Sequence, residues 1–130
     1  MKKNSEHYIA HKGKKYIIEW YFDNKGKSPA QEYYQTMPKQ YQKRLAHLFK
    51  AMCLMGQISN KQQFTPEPDS IFAFKPKPYR FFCFFVQGSK IIVTNAYLKK
   101  TDKLSEQDFE KSKKLRHDYI IRCEKGTYYE

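Results

Sequence analysis

The sequence predicts an α+β fold: a small antiparallel or mixed sheet, two N-terminal helices packed on it and a C-terminal helix. The first observation is that residues 28–56 contain two helical patterns with capping residues at their ends. The second is a set of short apolar runs between residues 71 and 97, separated by turn residues, and the third is a capped polar helix after residue 105. Strands grouped apart from helices are typical of α+β domains. Because 130 residues is an ordinary domain length, we expect one domain over residues 1–130.

The first third of the chain contains a strand. Residues 1–14 are polar and basic without periodicity, so we expect a flexible basic arm there. Residues 15–22 are rich in aromatic and β-branched side chains and predict the first strand. The turn residues at 23–27 end it.

Two helices are predicted next. Ser28, Pro29 and Gln31 match an N-cap hydroxyl, a proline at the first helical position and a capping-box glutamine, so a short helix should run to about residue 37. A second helix should run from Pro38 to a C-cap at Gly56. Its apolar side chains fall on one stripe and its opposite, basic face reads as a solvated surface. The stripe comprises Tyr41, Leu45, Leu48, Phe49, Met52 and Met55.

The second half of the chain predicts an antiparallel meander and a closing helix. Residues 56–70 form a polar connector with two prolines, which argues against regular structure. Strands are predicted at 71–74, 79–86 and 90–97, and the middle one is apolar on both faces, as in a central strand. Ser105 should cap a helix that runs to about Tyr119, with residues 120–130 as a tail.

Charge points to a polyanionic or acidic partner. The chain has 25 Lys and Arg against 13 Asp and Glu, a net charge of +12, which attracts phosphate polymers and acidic proteins. It contains neither an apolar run of signal-peptide length nor the roughly 20 apolar residues of a membrane span. We therefore expect a cytoplasmic protein that has no membrane partner.

The cysteines and histidines favour no cofactor. Cys53, Cys83 and Cys123 are an odd number without CxxC spacing, which argues against a disulfide framework or a zinc site and predicts reduced, buried thiols. The histidines lack metal-ligand spacing, and no Gly-rich phosphate loop is present. We expect neither a metal nor a small-molecule cofactor.

Lysines and arginines lie near the ends of the predicted strands, and this pattern suggests a binding site for an anion. Arg80 begins the central strand and cannot lose its proton, so it suits a phosphate clamp that stabilises a transition state. A lysine can act as a general base only if neighbouring cations or burial lower its pKa, which crowding favours. The cations concerned are Lys75, Lys77, Arg80, Lys99 and Lys100.

Several short motifs resemble those of the RelE/HigB toxins of type II toxin–antitoxin systems. Ile71-Phe-Ala-Phe-Lys75 is similar to the family's first strand motif, with Lys75 where the family has arginine and Ala73 where it has an acidic residue. Tyr79-Arg80-Phe-Phe-Cys-Phe-Phe85 resembles its "YR" strand, and Tyr97-Leu-Lys99-Lys100-Thr101 its aromatic-x-Lys-Lys-Thr end. The last helix, with Arg116 and Tyr119, resembles its closing helix.

The resemblance implies a RelE-like fold and a ribosome-dependent endoribonuclease that cleaves messenger RNA without a metal, held inactive by an acidic antitoxin. The candidate catalytic residues are Arg80, Lys75, Lys77 and Tyr119, and the candidate RNA-binding residues are Lys99, Lys100, Arg116 and His117. For Tyr119 and His117 a surface or core-packing role stays open. Two other classes stay open: a ParE-like gyrase poison, since a fold does not fix a function, and an RNA-binding module without catalysis.

Overall fold

A computed structural model of the protein describes residues 5–129 and shows an α+β fold with a mixed six-stranded sheet. A short 3-10 helix lies at Ser5–His7, and Pro68–Ser70 form a turn with left-handed torsions at Asp69 and Ser70. The strands are β1 (Ile9–Lys12), β2 (Ile17–Trp20), β3 (Phe64–Pro66), β4 (Phe72–Phe74), β5 (Tyr79–Val86) and β6 (Lys90–Leu98). The α-helices of the described part are α1 (Pro29–Thr36), α2 (Lys39–Met55) and α3 (Glu106–Glu124).

The sheet has the order β1-β2-β6-β5-β4-β3. Strands β3 to β6 form a continuous antiparallel meander, which confirms the predicted pairing of the apolar runs and the interior position of β5. β2 pairs with β6 in parallel, with Ile18 opposite Ile91, and this contact makes the sheet mixed. A parallel neighbour requires a long crossover, which here contains α1 and α2.

The sheet is covered on both faces. On one face Trp20 contacts Tyr34 of α1 and Phe49 of α2 through their rings. On the other face Phe82 of β5 contacts Phe109 of α3. Two-sided cover explains why β5 is apolar on both sides, because alternate side chains of one strand enter opposite cores.

Local signals predicted the N-cap of α1 and the C-cap of α2. The Ser28 hydroxyl accepts a hydrogen bond from the Gln31 N–H at 3.3 Å, and Gly56 ends α2 at φ 81°. Met55 is a correction, because its side chain is 65% exposed although the helical stripe places it with the core. Cys53 and Cys83 are buried free thiols as predicted, whereas Cys123 is only half-buried.

The order of the elements corrects the predicted layout. The helices expected at the N-terminus follow two strands, since β1 and β2 precede α1. Residues 9–12 of the expected flexible arm form β1, which pairs with β2, while residues 1–4 lie outside the described part. The proline-containing connector holds β3, where Thr65 pairs with Ala73 of β4.

The expected tail after residue 119 is also corrected. α3 continues to Glu124, and the chain then turns so that Tyr128 becomes buried. The Tyr128 hydroxyl accepts from the Phe22 N–H at 2.9 Å, and the Tyr128 carbonyl accepts from the Tyr8 hydroxyl at 3.2 Å. The last residues therefore join the strand end at Phe22 to the N-terminal segment. Within residues 5–129 there is no helix whose length and hydrophobicity would let it cross a membrane.

Candidate functional site

The ends of the meander strands meet at one edge of the sheet. Arg80 of β5 lies opposite Tyr97 of β6, and the Lys99 N–H donates to the Pro78 carbonyl at 2.9 Å. This pairing brings the turn between β4 and β5 beside the loop that follows β6. Between them lies a groove of about 490 Å³, here called the β5 groove, lined by Gln62, Lys75, Lys77, Pro78, Tyr79, Arg80, Lys99, Lys100, Thr101 and Asp102.

Arg80 is the most constrained cation of the β5 groove. Its Nη1 lies 3.2 Å from Oε2 of Glu67, and the two side chains are only 11% and 12% exposed. The Arg80 Nε is buried without a hydrogen-bond partner among the described residues. A guanidinium N–H that is buried without a partner costs free energy, so Arg80 is held at the groove partly unsatisfied.

Glu67 is held in place by its own loop and by α3. The Glu67 N–H donates to the Ile71 carbonyl at 2.7 Å. Asp69, two residues on, has a left-handed backbone (φ 61°) and receives Lys113 Nζ on its carboxylate at 3.1 Å and Arg116 Nη1 on its carbonyl at 2.6 Å. Helix α3 therefore fixes the loop that places a carboxylate on Arg80.

Lys75 lines the β5 groove, and two hydrogen bonds hold its amine. Burial lowers the pKa of its amine, and the positive charges of Arg80 and Lys99 lower it further. Its Nζ donates to the Lys61 carbonyl and to the Thr65 hydroxyl, both at 2.9 Å. The Lys75 amine is therefore fixed at the wall of the β5 groove, where neighbouring positive charges act on it.

The other lysines of the β5 groove are more open to solvent. Lys77 and Lys100 are exposed and Lys99 is half-buried. The Lys77 Nζ lies 3.3 Å from the Gln62 amide oxygen. Flexible, hydrated ammonium groups of this kind attract phosphates as point charges, without the planar geometry of arginine.

A model of a known protein family matches most of the chain. The family model described as "Phage derived protein Gp49-like (DUF891)" matches residues 32–117, from α1 into α3, and so includes every lysine and arginine of the β5 groove. The chain belongs to the Gp49-like family. This family is associated with the toxins of toxin–antitoxin systems. No curated protein matches the chain.

The Gp49-like protein does not bring Tyr119 into the β5 groove. Tyr119 is 5% exposed, and its ring contacts Phe84 at a centroid distance of 5.5 Å. Phe84 follows Arg80 by four residues, roughly 13 Å along an extended strand. The Tyr119 hydroxyl is hydrogen bonded to that of Tyr129 at 2.9 Å, and burial raises the pKa of Tyr119.

The remaining predicted RNA-binding residues lie on α3. Arg116 is half-buried and donates to the carbonyl of Asp69, so it contacts the groove only through the loop that carries Glu67. His117 is exposed on the same helix. Neither residue lines the β5 groove.

Two participants were missed by sequence reasoning. Glu67 sits between Pro66 and Pro68 and gives no local sign that it pairs with Arg80, 13 residues later. The Thr65 hydroxyl accepts a hydrogen bond from the Lys75 amine. Thr65 lies in β3, a strand that the prolines of this segment argued against. Within residues 5–129, no group of three or more His, Cys, Asp or Glu side chains is placed to hold a metal ion.

Proposed function

We propose that this Gp49-like protein is the toxin of a type II toxin–antitoxin system and that it cleaves messenger RNA in the β5 groove. The observation that carries the proposal is the meeting of Arg80, Lys75 and Lys99 in one open groove, where a lysine of lowered pKa lies beside a largely buried arginine. The motif resemblance to RelE/HigB toxins and the toxin association of the family support it.

The proposed reaction is a transfer of the phosphoryl group within the RNA. The neutral Lys75 amine takes the proton of the 2′-hydroxyl, and the 2′-oxygen attacks the adjacent phosphorus. Arg80 stabilises the charge on the phosphorane through its guanidinium N–H groups. The bond to the 5′-oxygen breaks, and that oxygen takes a proton from an ammonium group of Lys77, Lys99 or Lys100. The products are a 2′,3′-cyclic phosphate and a 5′-hydroxyl.

The proposed partners follow from charge and resemblance. A net charge of +12 suits both the ribosome, where we propose that the messenger is cut, and an acidic antitoxin that would neutralise the groove. A neighbouring reading frame for a small acidic or helix-turn-helix protein would support the antitoxin.

A second candidate is RNA binding without cleavage. The position of Tyr119 favours it, because the β5 groove then lacks the tyrosine that the sequence offers as a candidate catalytic group. In this case the cations bind phosphate and the RNA stays intact. Binding would fall steeply with salt, as expected when phosphate contacts release counterions.

The deciding experiment maps messenger RNA by primer extension in a translating extract. Arg80→Ala removes the clamp, and Lys75→Met removes the base; Lys125→Ala, an exposed change at the end of α3, is the control. Circular dichroism verifies that each variant is folded. Cuts at defined codons that both groove variants lose and Lys125→Ala keeps would support the nuclease.

Other outcomes separate the alternatives. Intact RNA with salt-dependent binding would overturn cleavage and support the binding module. Inhibited gyrase supercoiling with intact RNA would instead support a ParE-like poison.

A further inference from the structure

A second groove, here called the α2 groove, adjoins the β5 groove on the side of α2. Its volume is about 520 Å³, and Gln62, Lys75 and Lys77 line both grooves. The two spaces are therefore neighbours along one surface. A chain that places one phosphate at Arg80 would meet the α2 groove with an adjacent nucleotide.

The α2 wall of this groove is cationic. Lys43 and Arg44 are exposed cations that line it from one side of the helix, beside the exposed imidazole of His47. The Arg44 guanidinium is held near the groove, with its carbon 5.2 Å from the centre of the Tyr41 ring and Nη1 3.4 Å from the Lys77 carbonyl. These cations suit the phosphates on either side of a bound nucleotide.

The interior of the α2 groove has a different character from the β5 groove. Leu48 and Pro76 are buried and present apolar surface to it. Asn60 and Gln63 also line the groove, and each side-chain amide can both donate and accept hydrogen bonds. An apolar surface beside amides and an imidazole suits a planar heterocycle, which stacks on its face and hydrogen bonds along its edge.

We propose that the α2 groove binds the base of the nucleotide next to the phosphate held at Arg80 and so sets the sequence preference of the protein. This inference rests on the proposed function, because it takes the β5 groove as the site of that phosphate. The ligand class is single-stranded RNA, whose bases are unpaired and free to enter. The cations supply affinity and the Gln63 amide supplies discrimination between bases.

The test measures binding of short oligoadenylate, oligocytidylate and oligouridylate made with 2′-O-methyl riboses, which cannot be cleaved. Gln63→Leu removes the amide without changing charge, and Gln57→Leu, an exposed glutamine outside both grooves, is its control. Gln63→Leu should change the affinity ratio between the preferred oligonucleotide and the others by roughly tenfold, the ratio produced by one well-formed hydrogen bond to a base. Gln57→Leu should leave the ratio unchanged.

A second pair of variants tests the cationic wall. Lys43→Gln should weaken binding of all three oligonucleotides and lower the slope of log affinity against log salt by about 1. Lys50→Gln makes the same charge change on α2 outside the groove and should have a smaller effect on both. Equal behaviour within both pairs of variants would overturn the α2 groove as a base site.

The failures of the two proposals are distinguishable. If the wild-type protein prefers one oligonucleotide through Gln63 but leaves ordinary RNA intact, the base site stands and cleavage fails. If RNA is cut and the Gln63→Leu variant keeps both the cut sites and the binding ratios, cleavage stands and the base site fails.

Discussion

The carboxylate of Glu67 lies 3.2 Å from the guanidinium of Arg80, and the two side chains are nearly nine-tenths buried. The pair orients Arg80 in the β5 groove and partly neutralises it, while its Nε stays without a partner in the described part of the chain. Removing one partner of a buried pair leaves the other charge desolvated and unpaired. The resulting loss of stability is larger than the stability that an exposed ion pair contributes. Glu67 thus positions Arg80, and in the proposed function its charge would compete with a bound phosphate.

Glu67→Gln should strengthen RNA binding and weaken the fold. Without the carboxylate charge, Arg80 is available to phosphate, and affinity should rise on the order of tenfold, which corresponds to about 1.4 kcal/mol. The free energy of unfolding without RNA should fall by roughly 1–3 kcal/mol, because a buried charge loses its partner. Fluorescence titration with RNA and urea denaturation measure the two effects.

The matched control is Glu110→Gln, which makes the same charge change at an exposed residue paired with Lys113 on α3. Its effect on RNA affinity should be no larger than that of any remote surface charge. Equal gains in the Glu67 and Glu110 variants would show that only net charge matters and that Arg80 is not screened.

Lys75 should give the stability of the protein a distinctive pH dependence. Burial and neighbouring cations lower the pKa of Lys75 in the folded protein below its usual value of 10.5. Between the two values the unfolded chain binds more protons, so stability rises with pH across that window. The free energy of unfolding of the wild type should therefore increase relative to Lys75→Met as the pH approaches 10.5.

Lys113→Met is the control of opposite sign. Hydrogen bonds to Asp69 and Glu110 raise the pKa of Lys113, so its contribution to stability is fully present below 10.5 and is lost only above it. Its effect should stay constant in urea titrations at pH 7.5 and pH 10. A constant effect of Lys75→Met over the same range would argue against a lowered pKa and against Lys75 as the base.

Tyr119→Phe should leave RNA cleavage unchanged within about twofold, since the hydroxyl is bonded to Tyr129 away from the β5 groove. The free energy of unfolding should fall by roughly 0.5–1.5 kcal/mol, because the variant loses this hydrogen bond. Primer extension beside Lys75→Met provides the comparison. Loss of cutting by a folded Tyr119→Phe protein would return this residue to the reaction.

Tyr128→Ala should be strongly destabilising. The side chain is 3% exposed, its ring lies 4.6 Å from that of Tyr119, and its hydroxyl accepts from the Phe22 N–H. Removing a buried aromatic ring costs about 3–5 kcal/mol. Urea denaturation should show that loss, whereas Lys125→Ala, an exposed change at the end of α3, should stay within about 0.5 kcal/mol of wild type. Similar values for both variants would mean that residues after α3 do not stabilise the fold.

Signals within a few residues of each other predicted most of the local structure. The Ser28 cap, the Gly56 C-cap and the β4-β5-β6 meander depend on short patterns and are found where those patterns lie. β1 was not predicted, because its four residues have little alternation and acquire their structure by pairing with β2. β3 was not predicted either, because prolines in this segment argue against a strand. Its pairing with β4 is visible only in the folded structure.

The candidate site was predicted only in part. Lys75, Lys77, Arg80, Lys99 and Lys100 are near the ends of consecutive strands, and antiparallel pairing brings such ends together. Their gathering into one groove therefore follows from the meander. Tyr119 could not be placed in the same way, because the rotation and length of α3 decide which of its residues faces which part of β5.

Composition and neighbours a few residues apart account for the α+β class, the helix caps, the meander and the strong positive charge. Three features depend on long-range contacts: the parallel pairing of β2 with β6, the ion pair between Glu67 and Arg80, and the packing of Tyr119 against Tyr128. These contacts join segments that no local pattern relates. They form because packing both faces of one sheet leaves few ways to bury the apolar side chains while pairing the buried charges.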